Sequence, residues 1–134
     1  MKTKLIAFCL GVIFGYLAIK FFFGSVLGYT NIESGINDKR KYKLRDSGVL
    51  DNIANCRAKY LFDNNLWTHD GHKICFNKYK VYTYGEILAK DFLVDSDIIT
   101  AWINSPTHKL VMLGRWKKIG SSKYGNIVVV TFSN

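Results

Sequence analysis

Three side chains in the second half of the chain are of the types that do chemistry near neutral pH: His69, Glu86 and His108. Two imidazoles and a carboxylate suit a divalent cation such as zinc, which accepts N and O ligands and in catalytic sites keeps one position open for water. Read alone, His69 is a polar loop residue ahead of the turn signal Asp70-Gly71. Glu86 follows a strand expected over Lys78–Tyr84 and reads alone as a surface carboxylate. His108 falls in the first turn of a short helix opened by Ser105-Pro106, where the positive helix end favours the neutral imidazole that binds metal or accepts a proton. His72 reads as a surface residue. Cys56 and Cys75 are nucleophiles beside a histidine, buried thiols, or a disulfide. A bridge between them would close a loop of about 20 residues and contribute about 3 kcal/mol in the entropic model. There is no Gly-x-Ser-x-Gly elbow and no His-Glu-x-x-His helix.

The elements that must position these residues follow from periodicity. Ser47–Asp63 reads as an amphipathic helix, with Val49, Leu50, Ile53, Cys56, Tyr60 and Leu61 at three- and four-residue steps. A second helix starts at Asp95 or Ser96 and buries Ile98, Ile99, Trp102 and Ile103. Gly114 stops the short helix that carries His108. Trp116–Ser121 and Asn126–Ser133 read as strands joined near Tyr124-Gly125-Asn126. Helices and strands in this order predict an α+β fold, an antiparallel sheet flanked by helices.

Three stretches stand in a suggestive order: Trp67-Thr68-His69, then Gly85-Glu86-Ile87-Leu88-Ala89, then Trp102-Ile103-Asn104-Ser105-Pro106-Thr107-His108. Ile119-Gly120-Ser121-Ser122 follows them. This series resembles the CAP superfamily (cysteine-rich secretory, antigen five and pathogenesis-related-one proteins), in its short bacterial SCP-like branch. The resemblance implies the α-β-α sandwich of the CAP fold in a small variant. It also implies one pocket into which His69, Glu86 and His108 point, and in some members a divalent cation held there. Ile87 departs from the family pattern, which has Asn at that place, so the hydrogen bonding of the pocket is altered. Larger members add a second Glu on the helix bearing the Trp; here Trp102-Ile103-Asn104-Ser105 offers no carboxylate, and the site is reduced to three residues. With Glu86 as a ligand no obvious general base remains. The Asn-x-x-Arg helix start of the usual domain is not found, so a cover on one side is expected to be missing.

Ahead of the domain, Leu5–Ile19 is apolar and uncharged, Lys20 interrupts, and Phe21–Tyr29 resumes the apolar run. Such a segment is long enough for the roughly 20 residues that span a bilayer. A cleaved signal peptide is the rival reading, with Val26 and Gly28 before the cut. The expected organisation is therefore a signal anchor or transmembrane helix over 1–28, a basic linker over 29–46 and the CAP domain over 47–134. The formal net charge of +9 is spread over all three segments. No recognition helix, zinc-finger spacing or RNA-binding sheet accompanies it, so no nucleic-acid partner is expected.

The functional expectation is a membrane-tethered domain outside the cytoplasm, single-pass in the cell membrane, or secreted after signal-peptide cleavage. It would act as a binding module for a lipid, cell-wall material or another protein, with the membrane itself as a partner. The alternative is a divalent-metal-dependent, peptidase-like hydrolase using His69, His108 and Glu86. The sequence points to binding rather than catalysis.

Overall fold

The structure, a computed structural model, describes residues 31–134. In chain order it contains α1 (Ile32–Asp38), β1 (Arg45–Asp46), α2 (Gly48–Asp63), α3 (His72–Lys78), β2 (Tyr84–Lys90), α4 (Asp95–Asn104), α5 (Pro106–Met112), β3 (Lys118–Tyr124) and β4 (Ile127–Ser133). One four-stranded sheet has the order β1-β3-β4-β2. β4 pairs antiparallel with β2 and β3, and the two-residue β1 pairs parallel with β3.

Helices cover both faces of this sheet, because β4 is apolar on both sides. Val128, Val130 and Phe132 join Ile87 and Ala89 of β2 in a core with Ile36, Ile98, Ile99, Trp102 and Met112. The alternate residues Ile127 and Val129 join Leu88 and pack on Ala54, Ala58 and Leu61 of α2. A period of two along the strands thus feeds two layers, one under α2 and α3, the other under α1, α4 and α5. This is the expected α-β-α sandwich.

The membrane part of the expectation is corrected. Among the described residues no helix is long and apolar enough to cross a membrane. The longest of them, α2, has 16 residues with both buried and exposed positions, short of the roughly 20 apolar residues a crossing needs. Among the described residues the fold is therefore an α+β sandwich with no membrane-spanning helix. The membrane-tethered function, the single-pass cell-membrane localisation and the membrane as a partner are corrected with it. Segment 1–28, expected to form the anchor, lies outside the described residues.

Two smaller differences concern element positions. The stretch expected to be a linker holds α1, capped by the Asn31 side chain on the Glu33 N–H, and sends Ile32, Ile36 and Leu44 into the core. It supplies cover that was expected to be missing. The strand expected over Lys78–Tyr84 begins only at Tyr84, because Lys78 ends the short helix α3, Tyr79 caps it, and Lys80 takes a positive φ of 57° that breaks an extended chain.

Helix and sheet approach most closely at Gly120. A Cβ there would lie 2.4 Å from both the Leu50 carbonyl carbon and the Asp51 nitrogen. These are backbone atoms of α2 and cannot swing aside. Gly120→Ala is expected to lower the unfolding free energy by about 1–3 kcal/mol, the usual cost of overpacking, measured by urea denaturation. An unchanged midpoint would show that α2 can shift on the sheet.

Candidate functional site

The site is built around a residue that the motif reading passed over. Arg57 lies on the buried side of α2 and is 0% exposed. Its Nε donates to Glu86 Oε2 at 2.7 Å and its Nη2 to Glu86 Oε1 at 3.2 Å. The same guanidinium donates to the main-chain carbonyls of Thr68, at 3.1 Å, and Asp70, at 3.4 Å. One side chain therefore ties together helix α2, strand β2 and the loop that bears His69. A signal for it exists in the sequence: Arg57 stands among Ile53, Ala54, Ala58 and Leu61, on what is otherwise the apolar stripe of the helix. A cation there must be paired.

Glu86 faces α2 because the strand alternates, with Ile87 turned to the other core. Its side chain is only 5% exposed. Oε1 accepts a second hydrogen bond from His69 Nδ1, at 3.0 Å, while the His69 side chain is 56% exposed. A carboxylate that accepts from Nδ1 makes that nitrogen the protonated one, so Nε2 of the neutral ring carries the lone pair. The loop is braced further by Thr68 Oγ1, which accepts from the Asp70 N–H at 3.0 Å. His72 is bonded through Nδ1 to the His69 carbonyl and lies edge-on to the Tyr84 ring at 5.5 Å. It supports the loop.

His108 comes from the opposite layer. Ser105 and Pro106 open α5 as expected, and His108 Nδ1 bonds Ser105 Oγ at 2.8 Å. Burial holds the His108 pKa below that of an ordinary imidazole, and electrostatic interaction with His69 lowers it further. His108 protonates less readily in the folded chain than in the unfolded one. Its contribution to stability is then present above the unfolded pKa of about 6.5 and is lost as pH falls through the folded value. In an NMR titration, His108 should show its midpoint below 6.5. His69→Gln should move that midpoint up only in part, because burial, the larger cause, remains. A His108 midpoint at or above 6.5 in the parent would contradict this geometry.

His69, Glu86 and His108 do not fit the three-ligand metal set expected of them. Among the described residues no group of three or more His, Cys, Asp or Glu is placed to hold a metal ion. Both carboxylate oxygens of Glu86 are committed to Arg57, and one of them to His69 as well. The zinc expectation is corrected on that ground. Of the apolar residues in the three motifs, Ile87 and Trp102 are core, at 1% and 2% exposed, while Trp67 is 52% exposed. Cys56 and Cys75 form a disulfide that joins α2 to α3.

No protein-family model and no curated protein matches the sequence. Solved structures do. An extracellular protein containing a SCP domain from Bacillus anthracis str. Ames aligns with a TM-score of 0.70 and 20% identity, over 77% of this chain and 39% of that one. A cysteine-rich secretory protein from Staphylococcus aureus subsp. aureus Mu50 aligns with a TM-score of 0.68 and 18% identity, over 75% of this chain and 36% of that one. An outer surface protein from Borrelia burgdorferi aligns with a TM-score of 0.67 and 28% identity, over 75% of this chain and 87% of that one. The chain has the CAP superfamily fold. The chain spans well under half the length of the Bacillus and Staphylococcus proteins, and most of the Borrelia protein.

Proposed function

We propose that this CAP domain is exported and acts outside the cytoplasm as a recognition domain that takes its ligand at the His69–Glu86–His108 site. The observation that carries the reading is the exposed His69 imidazole held on a buried ion pair. Burying Arg57 and Glu86 costs desolvation that an apolar pair would not, so the pair is poor value as packing. What it does achieve is to fix one imidazole at the surface in one tautomer and orientation, beside a second imidazole kept neutral. Such groups donate and accept hydrogen bonds without carrying a fixed charge. The Cys56–Cys75 disulfide supports the oxidising compartment. So does the likeness to proteins described as extracellular, outer-surface and secretory.

A second reading rests on the same geometry. A carboxylate-oriented imidazole is the arrangement of a general base, and His69 Nε2 would take a proton from water during hydrolysis. One series of measurements addresses both readings. Short peptides and cell-wall glycan fragments are titrated into the labelled chain while the imidazole resonances are followed. A ligand of this site moves the His69 and His108 signals and is lost in the double variant His69→Ala/His108→Ala, whose thermal unfolding stays near the parent's. Turnover of that ligand that disappears with His69→Ala would select hydrolysis. Ligands that bind while leaving both imidazoles unmoved would sink the proposal.

A further inference from the structure

β2 is the outermost strand of the sheet and is paired on one side only. In an antiparallel pair, alternate residues turn their main-chain groups toward the partner and away from it. The Leu88 carbonyl accepts from the Trp102 indole at 3.0 Å, so Leu88 turns outward, away from β4. Asp91, an odd step away, donates its N–H to Asn126 on the β4 side. Tyr84 and Glu86 therefore turn outward with Leu88. Among the described residues no hydrogen bond reaches the main-chain N–H or C=O of either one. Glu86 is partly exposed as a residue although its side chain is 5% exposed, so the surface it offers is largely main chain. Buried and half-buried backbone groups are nearly always paired, and two residues of unpaired edge are a template for another strand.

Resting on the recognition reading above, we propose that an extended peptide segment of a partner adds a short strand to this edge, pairing with the main chain of Tyr84 and Glu86. The same edge is flanked by the two imidazoles, one from each layer: His69 on the α2 side through Glu86, and His108 on α5, whose Met112 lies in the opposite core. Side chains of an added strand alternate between its two faces. Successive peptide residues would thus meet His69 and His108 in turn. Strand addition of this kind takes its affinity from main-chain bonds and its specificity from the flanking side chains.

A second copy of the chain does not suit the edge. Trp102 closes it at Leu88, leaving too little for two edges to run along each other, and both copies would carry a formal net charge of +9. That charge suits a peptide rich in Asp and Glu.

The test uses the full chain and a displayed library of random ten-residue linear peptides. The tightest binder is synthesised with a single N-methyl group at each position in turn. Edge pairing predicts about a tenfold loss of affinity at two positions separated by one tolerant position, the loss expected for one hydrogen bond to each outward carbonyl. It also predicts slowed amide exchange at Tyr84 and Glu86 in the complex. Affinity should fall as salt is raised. A peptide that moves both imidazole signals without the alternating N-methyl pattern overturns edge pairing and leaves the recognition site standing. A library that yields no binder, while a glycan fragment still moves the imidazoles, overturns it in the same way. A peptide that shows the alternating pattern and protects Tyr84 and Glu86, yet leaves both imidazoles unmoved, supports the edge and overturns the recognition reading.

Discussion

Arg57→Ala is expected to remove about 3–5 kcal/mol of unfolding free energy, the cost of breaking a buried pair by deleting one partner. Arg57 is 0% exposed and the Glu86 side chain 5% exposed, so the change leaves a carboxylate out of bulk water without its charged partner. The same change strips a donor from the carbonyls of Thr68 and Asp70, and the His69 loop loses its anchor. Arg57→Lys should recover little, because a single ammonium cannot reproduce the fork that grips two Glu86 oxygens and two carbonyls at once. The double variant Arg57→Met/Glu86→Leu separates the two contributions. It leaves no unpaired charge and should recover most of the stability, while freeing the His69 imidazole to sample other rotamers. Urea denaturation of the full chain measures the first effect, and the His69 side-chain resonances report the second. An Arg57→Ala variant within about 0.5 kcal/mol of the parent would show that this pair does not organise the site.

The second large effect is loss of the disulfide. Cys56 and Cys75 are separated by 19 residues, and closing a loop of that size contributes about 3 kcal/mol in the entropic model. For a domain of this size that corresponds to a fall in Tm of about 10–20 °C, read by calorimetry on Cys56→Ala/Cys75→Ala. The closed loop contains Arg57, His69 and His72, so the bridge also limits how far the loop can leave Glu86. Amide exchange across Thr68–His72 should therefore accelerate more than across the β3–β4 hairpin. Equal acceleration in both would assign the bridge a purely global role.

These two predictions concern long-range contacts, and that is where reading from sequence alone ran out. Arg57 and Glu86 are 29 positions apart, and no periodic pattern relates a residue on a helix to one on a strand at that distance. The Arg could have been noticed as a cation on an apolar stripe, but its partner could not have been named. Helix α1 escaped for a different reason. It has 7 residues, with Ile32 and Ile36 as its buried large side chains, too few turns to show a period. The start of β2 was misplaced because the partial alternation over Lys78–Tyr84 does not reveal the helix end at Lys78 or the left-handed turn at Lys80. The zinc set had the right residue types, yet types do not say which oxygens are already bonded.

By itself the sequence determined the elements whose patterns are local. These are the amphipathic α2, the Pro106-opened α5, the β3–β4 hairpin about Gly125, and the ordered motifs that resemble the CAP superfamily. Each depends on residues within one or two turns of one another, where spacing alone dictates which side chains share a face. Only the tertiary structure decided what those elements do together. It placed Arg57 and His69 on the same Glu86 carboxylate, and His108 on Ser105. It left the outer edge of β2 open at Tyr84 and Glu86. The reason is that hydrogen-bond partners and burial arise from packing between layers, and the same local pattern is compatible with many such packings.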